Sequence, residues 1–264
     1  MGGKKIRIGA LISGGGTNLQ AIIDACVQNK IDARIVFVGT DNPDAKGLAR
    51  AEKANIPTFV TDYSSIIKEY GENPDAAILP EGFELADIMQ KQFLISQDTE
   101  PEKLKAFFET RAIAERSLLD AMNQYPFDLL VLAGFMRNLT PYFIDEINDE
   151  PGRYRIMNIH PALLPAFPGT DGYGDTLRYG CRVGGCTVHF IDYGEDSGPI
   201  IGQKSFPISD TDTKESVIRK GLHLEWQLYP ESIQKFAEGR LSVVEKNYDL
   251  GNSKSFSRKI VVCS

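Results

Sequence analysis

Apolar residues recur along this chain with two alternating periods, short β-branched runs and longer stretches at helical spacing, which predicts a parallel sheet wrapped by helices. The run from Lys5 to Ile12 ends in Ser13-Gly14-Gly15-Gly16-Thr17-Asn18, and helical spacing then takes over through Leu19, Ile22, Ile23 and Cys26. Strand, glycine turn and helix is the local reading. Ala33 to Val38 predicts a second strand, Lys46 to Ala54 a short helix and Pro57 to Val60 a third strand. Parallel strands in such a series are joined by right-handed crossovers.

From Asp62 to about Lys103 the pattern weakens, broken by Gly71-Glu72-Asn73-Pro74 and Leu79-Pro80-Glu81-Gly82, and residues 62–103 are expected to form an insertion on the surface of the sheet. A long helix follows with Phe108, Ala112, Leu119 and Met122 on one face, leading to a buried strand over Leu129 to Ala133. Tyr154 to His160 is the next strand, and Val183 to Asp192 with Ile200 to Ile208 should pair and extend the sheet. A helix from about Lys214 carries Val217, Leu224 and Leu228 on one side, and Pro230 is expected to kink or divide it. Beyond Val244 the chain is polar until Ile260-Val261-Val262, so residues 245–264 read as a C-terminal extension that packs on the body or on a partner. The expected fold is α/β, a mostly parallel twisted sheet with helices on both faces and a mixed C-terminal part.

Length changes this picture little: 264 residues suit one domain over 1–264 with a sizeable core. A net charge of -7 excludes a general nucleic-acid binder, which needs a dense cationic surface, but leaves room for a local anion pocket. The four cysteines, Cys26, Cys181, Cys186 and Cys263, make no disulfide framework and read as reduced thiols in the cytoplasm. Cys181 and Cys186 lack a second Cys/His pair at ligand spacing, so no metal is expected. The longest apolar stretch, Leu129 to Phe135, is too short to cross a bilayer, and no membrane partner is expected.

Two places could carry chemistry. In an open α/β sheet the turn after the first strand gathers backbone N–H groups at a helix N-terminus, where the dipole favours an anion. Gly14 to Asn18 suits that geometry, although it matches neither the GxGxxG pattern nor a triphosphate loop with its Lys, and a plain tight turn is equally compatible. Thr17 and Asn18 add side-chain donors. The second place is Asn158-Ile159-His160, where residues two apart on a strand bring an amide and an imidazole to one face just before Pro161 stops the strand. Taken alone, that pair also suits a simple hydrogen-bonded strand end.

The wider string Asn158-Ile-His-Pro-Ala-Leu-Leu-Pro-Ala-Phe-Pro-Gly169 is followed by His189-Phe-Ile-Asp192 and Asp196-Ser-Gly-Pro-Ile200. With Ser13-Gly-Gly-Gly-Thr-Asn-Leu-Gln-Ala-Ile22 and Leu132-Ala-Gly-Phe-Met-Arg137, these strings resemble the phosphoribosylglycinamide formyltransferases, folate-dependent enzymes of purine synthesis. The resemblance covers most of residues 5–62 and 111–243 and leaves out the insertion and the C-terminal extension.

It implies a Rossmann-like formyltransferase that moves the formyl group of its co-substrate, 10-formyltetrahydrofolate, to the primary amine of glycinamide ribonucleotide in IMP biosynthesis, with no metal. These two small molecules would be its partners, and the chain would be a monomer or homodimer. By the same resemblance Gly16, Thr17 and Asn18 hold the substrate phosphate, Asn158, His160 and Asp196 are catalytic, and Glu225 meets the ribose and amine. Met136, Arg137, Asn138 and Leu139 form the folate wall, joined by Arg111. Where the family commonly carries a histidine after Pro168-Gly169, this chain reads Thr170-Asp-Gly-Tyr-Gly-Asp175, with Tyr173 at the aligned place. His189 is expected to be a structural strand residue and His223 a surface one.

Formyltetrahydrofolate deformylase shares the Asn, His and Asp set with water in place of the amine, but a regulatory domain is expected before its first strand and a phosphate turn has no use there. Methionyl-tRNA formyltransferase needs an added basic RNA-binding domain, which residues 245–264 do not supply. A catalytically silent folate or nucleotide module is the reading from another class, against which the intact Asn158, His160 and Asp196 speak.

Overall fold

The computed structural model describes residues 5–150, 152–251 and 254–264. The chain runs β1 (Ile6–Ile12), α1 (Thr17–Val27), β2 (Ala33–Thr40), α2 (Leu48–Lys53), β3 (Thr58–Val60), α3 (Tyr63–Glu72), α4 (Leu85–Lys91), α5 (Pro101–Met122) and β4 (Leu129–Leu132). It continues through α6 (Pro141–Ile147), β5 (Ile156–His160), α7 (Gly172–Arg178), β6 (Val183–Phe190), β7 (Ile200–Pro207), α8 (Lys214–Ala237), β8 (Leu241–Asp249) and β9 (Ser255–Cys263).

Seven strands form one sheet in the order β3-β2-β1-β4-β5-β6-β7. From β3 to β5 neighbours are parallel, whereas β6 pairs antiparallel with both β5 and β7, the mixed C-terminal part expected from sequence. Alternation along the central strands decides how the two faces are covered. Ile8, Ala10 and Ile12 of β1 and Leu129 and Val131 of β4 pack against α1 and α8 through Leu19, Ile22, Tyr229 and Ile233. Leu11, Leu130 and Leu132 point the other way, against Phe108 and Leu118 of α5 and Phe143 of α6. Burying a side chain of this size is worth about 1.5–3 kcal/mol, so both layers matter to stability.

The strand order reverses between β1 and β4, since the chain leaves β1 towards β2 on one side and returns to β4 on the other. Ligands of open α/β sheets bind outside the carboxyl ends of strands at such a reversal. The glycine turn and the loop after β4 meet there: Ser13 N donates to Gly134 O at 2.9 Å, and Met136 N to Ser13 Oγ at 2.8 Å.

Residues 62–103 hold α3 and α4 and lie on the α5 side, where Tyr63 and Ile88 enter the core. Asp62 caps α3 by accepting from Ser64 N and Ser65 N at 3.0 and 3.1 Å. Only Tyr63, Ile88 and Gln92 of this stretch are buried, which is why the periodicity looks weak. Its link to the loop after β6 is short, Phe93 N donating to Tyr193 O at 2.9 Å. Pro230, expected to kink or divide its helix, lies inside α8 without dividing it. The neighbouring Tyr229 and Ile233 are fully buried, and Tyr229 Oη donates to Met157 O at 2.8 Å, so packing on the sheet outweighs the lost helical hydrogen bond. The last two strands form a hairpin whose Leu241, Val243 and Val261 pack on the α1/α8 core layer.

Candidate active site

Pairing of β5 between β4 and β6 fixes what its carboxyl end presents. Register sets Asn158 opposite Leu132 on one side and His189 on the other, and Asn158 and His160 share one face. Both reach a cavity of about 360 Å³ that Asp196, Asn18 and Glu225 also line.

His160 is nearly enclosed and lies between two oxygens, Nδ1 at 3.0 Å from Asp196 Oδ2 and Nε2 at 2.7 Å from Phe167 O. Two acceptors on one ring require both nitrogens to carry hydrogen, which makes the group an imidazolium. Burial by itself would lower its pKa, but the hydrogen bond and charge of Asp196, helped by the Phe167 carbonyl, outweigh burial and raise it above the ordinary 6.5. Asp196 responds in the opposite sense. Burial would raise it, yet His160 and the Gly169 N–H, 2.9 Å from Oδ2, hold it well below the usual carboxylate range.

Backbone geometry serves this contact. Asp196 sits at φ 49°, a left-handed conformation uncommon outside glycine but tolerated by Asp, and Phe167 at φ 56° turns its carbonyl to the imidazole. His189, expected to be structural, is fully buried and brackets the set. Its Nδ1 lies 2.9 Å from Phe190 O and therefore carries the hydrogen, so Nε2 accepts from Asn158 Nδ2 at 3.4 Å. That contact turns the Asn158 amide and leaves its second N–H for the cavity. The same Nε2 is 3.6 Å from Asp196 Oδ1, too far for a hydrogen bond.

The glycine turn enters α1 through Gly16 at φ 67°, a conformation glycine adopts without strain. Gly47 N donates to Gly14 O and Arg50 Nε to Gly15 O, at 2.9 and 2.8 Å, so the start of α2 braces the turn. Among the described residues no side chain caps α1, and its first N–H groups stay open. Asn18 lines the cavity, whereas Thr17 faces a neighbouring hollow with Gln20 and Arg50. Glu225 is not on an exposed helix face. It is 4% exposed, accepts from Asn18 Nδ2 at 2.7 Å on Oε2 and from Tyr173 Oη at 2.5 Å on Oε1, and lines the cavity.

The Phe135–Leu139 segment forms the facing wall. Phe135 and Leu139 are buried, while Met136 is 58% exposed and so is not core filling. Arg137 Nε meets the buried Asp41 at 2.6 Å and the guanidinium lies over Tyr63, so it is more than a free surface charge. Asn138 Nδ2 donates to Glu195 Oε1 at 3.3 Å. Arg111 is not brought to the cavity wall. It lies between the rings of Tyr63 and Phe107, with Nε and Nη1 unpartnered among the described residues. Leu94, from the segment of weak periodicity, does reach the cavity, and no local signal in the sequence marks it.

A family profile described as "Formyl transferase" matches residues 6–233. The phosphoribosylglycinamide formyltransferase of Escherichia coli (strain K12) is 32% identical over 240 residues, 91% of each chain, and that of Bacillus subtilis 30% over 84% of this chain and 90% of its own. Among solved structures, glycinamide ribonucleotide transformylase 1 from Symbiobacterium toebii superposes with a TM-score of 0.70 at 34% identity, covering 99% of this chain and 95% of that one. A formyltetrahydrofolate deformylase from Pseudomonas syringae has a TM-score of 0.67 at 19% identity, covering 99% of this chain and 67% of that one, a likeness of fold alone.

Proposed function

From the premise that this chain belongs to the formyl transferase family, we propose that it transfers the formyl group of 10-formyltetrahydrofolate to the primary amine of glycinamide ribonucleotide. Asn158, His160 and Asp196 carry the chemistry. The observation that supports this most is the His160 ring, held between Asp196 and the Phe167 carbonyl beside the Asn158 amide.

The amine nitrogen attacks the formyl carbon, a new C–N bond forms, and the formyl oxygen takes on negative charge. The free N–H of Asn158 donates to that oxyanion, and His160 supplies positive charge and, on exchanging Phe167 O for substrate, a second donor. Collapse breaks the bond from the formyl carbon to the folate nitrogen, which leaves with a proton given up by the attacking amine. Asp196 keeps His160 charged and oriented throughout, because its own affinity for protons is held low.

The rest of the cavity divides the substrates. The open N-terminus of α1 with Gly16, Thr17 and Asn18 takes the phosphate, and Glu225 takes the ribose hydroxyls or the amine. The wall from Met136 to Leu139 takes the flat folate ring, while Arg137, which uses only Nε on Asp41, keeps its outer nitrogens for the glutamate tail. Arg111 contributes its charge from behind Tyr63.

Absorbance of 10-formyltetrahydrofolate, followed with and without glycinamide ribonucleotide, tests the reading. Loss that depends on the amine is the expected result. Loss without it would make the chain a deformylase, and no loss in either case a silent binding module.

A further inference from the structure

Tyr173 occupies the place where the resembling family commonly has a histidine, and nothing in the chemistry above uses it. It is 5% exposed, with its ring against Phe206 of β7 and its hydroxyl 2.5 Å from Glu225 Oε1. Burial, followed by the charge of Glu225, pushes the phenol far above its ordinary pKa, so the proton stays on the tyrosine and is donated. The path of the ring depends on α8. Gly221 lies one turn before Glu225 on the same helix face, and a Cβ there would overlap the Tyr173 ring. The missing side chain is the slot through which the phenol reaches the carboxylate.

From these contacts we infer that Tyr173 is a positioning residue for the acceptor substrate: with Asn18 it clamps Glu225 so that one lone pair of each carboxylate oxygen faces the cavity. Each oxygen has one fixed donor, Tyr173 on Oε1 and Asn18 on Oε2, and two such bonds fix both the reach and the rotation of the group. Both donors are neutral, so the clamp leaves the negative charge of Glu225 uncancelled. A carboxylate held this way selects a ligand rich in donors, a vicinal diol or an ammonium group, and disfavours an anion directly against it. The clamp also ties α7 and α8 to the first turn of α1, so the acceptor-recognising carboxylate and the anion-binding turn keep a fixed separation.

The inference rests on the formyl-transfer reading, and steady-state kinetics on the full chain separate the two. Tyr173→Phe keeps the ring that fills the slot and removes only the donor. It is expected to raise the KM for glycinamide ribonucleotide about tenfold, the scale of one hydrogen bond to a charged group, while the KM for 10-formyltetrahydrofolate stays within about twofold. In a Glu225→Gln background the same change should move the acceptor KM less than about twofold, because the group it positions has already lost its charge. An unchanged acceptor KM in Tyr173→Phe, equal shifts for both substrates, or full additivity with Glu225→Gln would overturn the clamp and leave the formyl-transfer reading intact. A wild-type enzyme without amine-dependent consumption would instead overturn that reading, and this inference with it.

Discussion

The cavity contains two largely enclosed carboxylates, Asp196 and Glu225, each braced by protein donors, and they differ in what the donors leave behind. Asp196 is held by an imidazolium and a backbone N–H, so its charge is matched within the protein and fixes the state of His160. Glu225 is held by a phenol and an amide, both neutral, so its charge remains for a ligand. On the proposed formyl-transfer reading, the same residue chemistry yields an internal counterion at one end and a recognition group at the other. In that reading the choice of donor, charged or neutral, separates the catalytic end from the binding end.

The strongest way to break the comparison is at the catalytic end. Asn158→Ala removes the donor aimed at the developing oxyanion, and turnover is expected to fall by about two to three orders of magnitude with little change in either KM. Near-normal kcat would remove Asn158 from the chemistry. Asp196→Asn is the next test, and Asn tolerates the left-handed φ of this position as well as Asp does. Without the anion, His160 loses the main cause that raises its pKa, so the basic limb of the kcat/KM profile should move to lower pH. The sign follows from the active form being the protonated one. An unmoved limb would mean that Asp196 does not keep His160 charged.

At the binding end, Glu225→Gln should raise the acceptor KM by roughly 10- to 100-fold, with a smaller effect on kcat than Asn158→Ala has. An equal rise in the folate KM would show that this end does not distinguish the substrates. The smallest effect belongs to the brace beneath the site. Buried Gln92 accepts from Leu94 N and Ile95 N at 2.8 and 2.9 Å and donates to Ile95 O at 3.0 Å, fixing the turn that puts Leu94 on the cavity. Gln92→Ala should cost about 1–3 kcal/mol in urea unfolding, because two N–H groups lose their acceptor. Unaltered stability would show that water replaces the side chain freely.

Much of the fold was legible because its signals are local. The run of Ile8, Ala10 and Ile12 into a glycine turn, and the helical spacing of Phe108, Ala112, Leu119 and Met122, follow from periodicity and turn chemistry over a few residues. The segment 62–103 was legible only as a weak pattern, since Tyr63, Ile88 and Leu94 are buried or enlisted singly. Pro230 shows the reverse error, a strong local signal overruled by the burial of Tyr229 and Ile233 around it.

For the site, the sequence by itself determined which groups were on offer: an amide and an imidazole two residues apart on a strand, a carboxylate in a later loop, a glycine turn leading into a helix, and a glutamate on a helix. Strand period and turn geometry act at short range, so they can be read along the chain. Only the tertiary structure decided how those groups are charged and aimed. The doubly hydrogen-bonded state of His160 depends on oxygens from two loops, the orientation of Asn158 on His189 across the β5/β6 pair, and the clamp on Glu225 on Tyr173, Asn18 and the gap at Gly221. Charge and hydrogen-bond direction are set by whatever lies within about 3 Å, and in this molecule those neighbours come from parts of the chain that only folding brings together.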